Sequence, residues 1–371
     1  MSSVTEKLAQ RIADIVVSSF EQLEASGSRI LVKGCNSPQQ YIDGSLCKGT
    51  NALLASMCYS MMGYELPVWV TFNRLREWGV YPKEGEHGIP ITNFKFYYTK
   101  KGSMEADPSM TDDVYEMLSP EEKLKWVKRC MVKTYPEFNL SQTNYREVYP
   151  DQWKESLELF NVAERDGSVC PELDSLIDTN GWVCPIVAAE NATEVDYNLK
   201  YDVITCPPLK KVADKGRFYS QLVHAMSMST GAELRSDRNL YSDKLSDRAS
   251  EELLNELTSA IVSSVLGLDA RIREENMSHI RAWINVANEQ PSFIYSVMFK
   301  AKQISDDIVS HLSLQRTRGL DMDSILEGVD KAEEARELNR QRREKAAKAK
   351  KAYKGFKRGG RVRKAGAVKG I

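Results

Sequence analysis

No stretch of the 371-residue chain approaches eighteen uncharged apolar residues in a row, which excludes a membrane-spanning helix. The opening MSSVTEKLAQRIADIV carries two acids and lacks the basic, apolar, then small-residue order of a secretory signal. Seven cysteines, Cys35, Cys47, Cys58, Cys130, Cys170, Cys184 and Cys206, are odd in number and form no CxxC. They predict reduced thiols and a cytoplasmic location rather than a disulfide framework. Histidine is scarce: with only His87, His224, His279 and His311, a multi-histidine metal site would use most of the supply. No internal repeat is visible. What is present is ordinary for a globular protein, 42% hydrophobic and 28% charged residues, in a chain long enough for two domains with cores of their own.

The net charge of −1 conceals an asymmetry. Residues 336–371 hold fifteen Lys and Arg against Glu337 and Glu344, so this segment is +13 and the remaining 335 residues sum to −14. An acidic body with a basic tail has electrostatic reach toward phosphates, or toward its own acidic surface.

Apolar periodicity organises the chain. Val4, Leu8, Ile12, Ile15, Val16 and Leu23 predict an amphipathic helix that Gly27 closes. Residues 30–50 read as loop. A second helix has Asn51, Leu53, Leu54, Met57, Met61 and Met62 as its stripe and ends at Gly63. Extended structure is predicted over 68–71 and 89–98, a short helix over 72–78, and a tight charged turn at PKEGEHG. Residues 102–130 read as a surface insertion whose helix opens at Ser119-Pro120-Glu121-Glu122. Residues 131–150 read as aromatic-rich extended chain, and 151–200 as a linker region with one helix. Helices are predicted at 217–230, 247–267, 277–288 and 292–313, with a further charged helix over 321–353. The segment beyond 354, with five glycines and no core, reads as disordered in isolation.

Two constellations carry chemistry. From Lys48 to Lys83, the cations Lys48, Arg74, Arg76 and Lys83 interleave with Tyr59, Tyr64, Trp69, Phe72, Trp78 and Tyr81. Single-stranded nucleic acid suits that mixture, since cations track phosphates while ring faces stack on bases. The competing reading is that Trp and Tyr beside short strands are core. The second is the helix FYSQLVHAMSMSTG (218–231), followed by EELLNEL (251–257). A zinc peptidase helix reads H-E-x-x-H, with two histidines sharing a face and the glutamate as general base. Here Ala225 cannot take a proton from water, and Met228 offers a thioether suited to copper(I) rather than zinc. Taken alone, His224 also reads as a packed core histidine.

Together these regions resemble the ArdC-type antirestriction proteins of plasmids and phages, whose N-terminal domain also occurs on plasmid-transfer primases. The resemblance spans about residues 1–312. It rests on KGTNALLASMCYSMMGYELPVWVTFNRLREWGVYPKEGEHGIPI (48–91), TYPEFNLSQTN (134–144), WVCPI (182–186), DVITCPP (202–208), FYSQLVHAMSMSTGAELRSDR (218–238) and ASEELLNELTSAIVSSVLGL (249–268). It implies a single-stranded-DNA-binding domain followed by a zincin-like metallopeptidase domain. His224 matches the family's first zinc histidine, and Glu252 and Glu256 fall in the acidic motif that supplies a further ligand. Ala225 stands at the catalytic glutamate and Met228 at the second histidine. The resemblance therefore implies the zincin fold without zinc hydrolysis. The turn at Lys83-Glu84 is also less basic than the family's.

The expected architecture is α+β: an ArdC-like domain over 1–150 with a small sheet and helices, a linker region over 151–200, a mainly helical zincin-like domain over 201–315, and a charged helix and basic tail over 316–371. The expected function is a cytoplasmic single-stranded-DNA-binding antirestriction protein of a phage or conjugative element. DNA contacts are expected from Lys48, Asn51, Trp69, Thr71, Arg74, Tyr81, Lys83 and His87, and the tail is expected to add phosphate contacts to single or double strands. His224, Glu252 and Glu256 are expected to be a vestigial metal site with no catalytic residue, no resident zinc and no membrane partner. Two alternatives stay open: a metallopeptidase with a rearranged site, and a structural protein associated with phage DNA.

Overall fold

The computed structural model describes residues 3–33, 38–102, 110–162, 170–240 and 245–317. The predicted charged helix over 321–353 and the basic tail lie outside the described residues. The first helix, α1 (Ser3–Ser26), stops at Gly27, whose φ of 62° is a left-handed conformation that glycine adopts without strain. Its apolar face does not build an N-terminal core of its own. Ile12, Val16, Phe20 and Leu23 pack instead among side chains from the far end of the chain, including Leu257, Ile261, Trp283, Ile294 and Met298.

The following segment is not simply loop. Strand β1 (Ile30–Val32) pairs antiparallel with residues 270–271 near the C-terminal end, and β2 (Gln40–Tyr41) begins a sheet. Helix α2 (Gly49–Met62) is apolar nearly all round, the signature of a helix buried on every side; of the expected stripe, only Met62 is largely exposed. Gly49 has φ 54°, and a Cβ there would meet the Lys302 side chain at 2.9 Å, so α2 starts where only glycine fits easily.

Strand β3 (Val68–Thr71) leads into α3 (Phe72–Glu77), and β4 (Ile89–Lys100) follows the charged turn. Beyond two short helices, α4 (Asp112–Glu116) and α5 (Pro120–Lys123), comes β5 (Trp126–Asn139). Ser119 caps α5 as its sequence predicts, in a capping box with Glu122. The sheet order is β2-β3-β5-β4, with β2 and β3 parallel and the remaining pairs antiparallel. Because β3 meets β5 only at residues 137–139, the β4–β5 ladder runs on alone as a ribbon to the Lys100 and Trp126 pair. Residues 126–130, expected within a surface insertion, are thus strand. Beyond Asn139 the chain turns helical, through a single 3₁₀ turn at 140–142 and α6 (Tyr145–Val148), where extended structure was predicted.

The stretch expected as linker holds α7 (Pro150–Val162), α8 (Pro171–Thr179), β6 (Ile186–Ala188) and β7 (Asp196–Asn198). With β8 (Val203–Cys206), the two strands form a sheet of order β6-β8-β7. From Cys170 onward these residues share a core with α9 (Lys215–Thr230), through Leu173, Ile186, Tyr197, Tyr219 and Leu222. Helix α10 (Leu245–Leu266), β9 (Ala270–Arg271), α11 (Ile280–Glu289) and α12 (Pro291–Thr317) complete the described chain, close to the predicted helical spans. The fold is α+β, and α10, α11 and α12 close over α1 and α2, so the halves are joined by one shared core. Among the described residues, no helix is long and apolar enough to cross a membrane.

Candidate nucleic-acid cleft and candidate metal centre

An open cleft of about 570 Å³ lies where β3, β4 and β5 meet the N-terminus of α2, the loop at 42–46 and the flank of α12. Five of the eight residues expected to contact DNA line it: Lys48, Asn51, Trp69, Thr71 and Arg74. The other three lie outside its lining. Tyr81, Lys83 and His87 belong to the turn tied down on residues 141–144: the Tyr81 amide donates to Asn144 Oδ1 at 2.8 Å, the Lys83 amide to the Gln142 carbonyl at 2.8 Å, and Gln142 Nε2 to the His87 carbonyl at 3.2 Å.

The five cleft residues do different work. Trp69 is fully buried, packed against Ala52, Ala55 and Ile91, and its indole N–H donates to Gln39 Oε1 at 2.7 Å. Strand β3 is covered on both faces, by α2 on the Trp69 side and by Leu75, Phe138 and Trp153 on the Val68 and Val70 side. The expected stacking role of Trp69 is therefore corrected to a core role. Asn51 is also engaged, its Nδ2 donating to the Thr92 carbonyl at 2.9 Å while its Oδ1 accepts from the Thr92 amide at 3.0 Å. Thr71 caps α3, accepting from the Arg74 amide at 3.4 Å. Arg74 pairs with Glu77 at 2.8 Å yet keeps about half of its side chain in solvent, and Lys48 is exposed.

Among the lining residues that the sequence reading did not name as contacts, four matter most. Lys302 arrives from α12, more than two hundred residues away, and reads in sequence as one half of a surface i,i+4 pair with Asp306. Tyr135, 38% exposed, and Asn93 come from the start of the ribbon. Glu137 sits in the floor at 5% exposure, and its Oε2 accepts no hydrogen bond among the described residues. Burial first, then the nearby Asp43 carboxylate, pushes the Glu137 carboxyl up to about 7. The folded state therefore holds a proton on Glu137 that the unfolded chain releases near 4.5, and this contribution to stability is lost as pH rises towards and through 7. The Glu137→Gln protein is accordingly expected to gain melting temperature relative to wild type between pH 5 and pH 8. A constant difference across that range would show that Glu137 does not titrate there.

The second site lies between α9 and α10. His224 is 1% exposed, with Nε2 at 3.6 Å from Glu256 Oε1 and 4.0 Å from Glu252 Oε2. The three residues named by the resemblance thus lie close together, and Ala225 and Met228 are buried. The donors around them do not suit a zinc hydrolase centre. The two oxygens that face His224 are already bridged by the Asn276 amide, which donates to Glu256 Oε1 at 2.7 Å and to Glu252 Oε2 at 3.1 Å. The Arg273 amide adds a bond to Glu256 Oε1 at 3.1 Å. Arg273 Nη1 stands 3.4 Å from His224 Nδ1. A guanidinium has no lone pair to offer, so it can meet Nδ1 only as a donor, while Nε2 faces the two carboxylates and, like Glu256 Oε2, is buried with no hydrogen-bond partner among the described residues. Burial, and then the Arg273 charge, hold the imidazole neutral well below its usual range, while burial pushes Glu256 up to about 7. Among the described residues, no group of three or more His, Cys, Asp and Glu is arranged to hold a metal ion.

A small mixed sheet joined to a helical unit that carries a histidine helix and an acidic helix defines a two-part protein of zincin type. Comparison with known proteins agrees. The family described as the N-terminal domain of anti-restriction factor ArdC matches residues 6–138, and the family described as zincin-like metallopeptidase matches residues 172–300. The metal-free structure of the antirestriction ArdC protein from plasmid R388 superposes with a TM-score of 0.55 at 20% identity, covering 82% of this chain and 97% of that one. Its Mn(II)-bound form gives 0.54 over the same shares. The uncharacterized protein y4eC of Sinorhizobium fredii is 23% identical over 261 residues, 70% of this chain and 76% of its own length. With both family domains present in order, the chain belongs to the ArdC-type antirestriction family.

Proposed function

We propose that the protein is a single-stranded-DNA-binding antirestriction factor of a mobile element, acting in the host cytoplasm, with a second domain that no longer hydrolyses peptides. The observation that carries this reading is the cleft itself, with Lys48, Arg74, Lys302 and the partly exposed ring of Tyr135 all in its lining. Cations placed beside an accessible aromatic face suit a flexible strand whose phosphates and bases are both within reach. Two carboxylates, Asp43 and Glu137, share the cleft, so it is not a plain basic groove, and duplex DNA would bring more phosphate than it can neutralise. The basic segment 336–371 supplies phosphate contacts that do not distinguish single from double strands.

The test is a titration of the full chain with single- and double-stranded oligonucleotides at several salt concentrations. Lys48→Gln with Arg74→Gln is expected to weaken single-strand binding about tenfold and to flatten the log–log salt slope by about 1.4, since each phosphate contact to a single strand contributes roughly 0.7. Removal of residues 336–371 is expected to weaken both forms alike and leave the single-strand preference intact. A folded protein lacking the tail that binds neither form would remove the cleft from consideration.

A further inference from the structure

The cleft has a chemical peculiarity that phosphate binding does not use. Most buried polar atoms in folded proteins have a partner, and a carboxylate oxygen without one carries an uncompensated desolvation cost. Glu137 is such a group: it lines the cleft, and its Oε2 is buried and accepts no hydrogen bond from a described residue. Two side-chain donors nearby are committed elsewhere. The Asn51 amide donates to the Thr92 carbonyl and, at 3.3 Å, to the Tyr41 hydroxyl, and the Trp69 indole donates to Gln39. The sheet fixes the residue firmly, since Glu137 is paired with Thr71 on one side and Ile89 on the other. Tyr135, two residues earlier on the same face of β5, offers a partly exposed ring next to it.

We propose that Glu137 is a base-discriminating residue, its carboxylate turning from the floor into the cleft so that both oxygens accept the N1–H and 2-amino hydrogens of an unpaired guanine seated there. The inference rests on the single-strand reading given above. An ionised carboxylate presents two acceptors side by side. Guanine is the base whose Watson–Crick edge presents two adjacent donors. Cytosine and adenine set an acceptor beside their amino group, and thymine sets a carbonyl on each side of its N3–H, so each meets one of the two oxygens with a repulsive contact. The edge is free only in an unpaired base, which ties the recognition to single strands. The wall cations Lys48, Arg74 and Lys302 then face the phosphates, and the ring of Tyr135 is available to stack. Binding guanine also ends the isolation of the buried oxygen, an advantage that no other base provides in full.

The experiment uses the full-length protein and labelled twelve-residue oligo(dT) strands whose central position carries guanine, hypoxanthine or thymine. It is run at pH 8, where a carboxyl that titrates at about 7 is mostly ionised. Hypoxanthine keeps N1–H and lacks only the 2-amino group. Wild type is expected to bind the guanine strand about tenfold more tightly than the thymine strand, with hypoxanthine between, in line with a bidentate base contact. Glu137→Gln, which has nearly the same shape but replaces one acceptor by a donor, is expected to bring the guanine-to-thymine ratio close to one, with a melting curve confirming that it is folded. Equal wild-type affinity for all three strands would overturn the assignment while leaving single-strand binding intact. A guanine preference that survives in the Glu137→Gln protein would likewise overturn it, by placing the discrimination elsewhere. Failure of wild type to bind any of the strands would overturn both this inference and the function on which it rests.

Discussion

Trp69→Ala is expected to cost about 3–5 kcal/mol of folding stability, the usual range for truncating a fully buried aromatic side chain. The indole fills the space between β3 and α2, against Ala52, Ala55, Cys58, Ile89 and Ile91, and Tyr64 meets it edge-on at 6.0 Å between ring centres. Ala52 and Ala55 have no longer side chain with which to close the gap, so the cavity persists. Trp69→Phe keeps most of the volume and loses the hydrogen bond to Gln39, and is expected to cost about 1–2 kcal/mol beyond the smaller ring's packing loss. Urea unfolding of the two variants measures the difference. The alternative role is a base-stacking platform, which predicts the reverse: stability close to wild type and single-strand affinity lost in both ring-altering variants. The structure requires the first pattern, because a ring with no exposed surface cannot meet a base.

Removing the Asn276 amide is expected to be nearly as damaging. Its Nδ2 donates to one oxygen of Glu252 and one of Glu256, and it is the side-chain donor that keeps those two like-charged groups together beside His224. Asn276→Leu leaves Glu256, which is 1% exposed, with the Arg273 amide as its remaining donor. A loss on the order of 3 kcal/mol is expected, as for other buried charged groups deprived of a partner. The same geometry sets the metal response. Zn(II) and Mn(II) are expected to leave the wild-type melting temperature unchanged, because the Asn276 amide occupies the carboxylate oxygens that a cation beside His224 would need. Ala225→Glu with Met228→His rebuilds the zincin motif on α9, and it is expected to bind zinc only when Asn276→Ala also frees the carboxylates. Elemental analysis of the three proteins decides this. One zinc per wild-type chain, lost in His224→Ala, would show that the amide yields to the metal and that the centre still functions as one.

The sequence carried the local facts far. The three- and four-residue spacing in α1, α9 and α10 placed those helices closely, since an amphipathic stripe records which face is buried without saying what covers it. Gly27 and Gly63 ended their helices as read, both in the left-handed conformation. The N-cap at Ser119 was legible for the same reason, since the amide it caps lies three residues away. The resemblance named His224, Glu252 and Glu256, and the packing of α9 against α10 sets Glu252 and Glu256 within 4.0 Å of His224 Nε2.

Pairing was the part that could not be read. Strand β1 lies in residues that look like loop because its partner, Ala270–Arg271, is some 240 positions away and supplies the hydrogen bonds that make the segment extended. The linker reading of 151–200 has the same origin: β6 and β7 are three residues each, too short for a period, and become strands only beside β8. In the cleft, Trp69, Val70 and Thr71 of the run VWVT and the flanking Lys48 and Arg74 belong to the lining. Only the sheet, covered on both sides, decided that Trp69 is core while Tyr135 is exposed, and only the return of α12 brought Lys302 to the opposite wall. At the candidate metal centre, the replaced Ala225 and Met228 were visible from the start, but Asn276 and Arg273 belong to a segment without a motif. Periodicity and capping act over four residues or fewer and are written in the chain; what covers a face and what fills a vacated ligand position depend on partners distant in sequence, and these the tertiary structure alone decides.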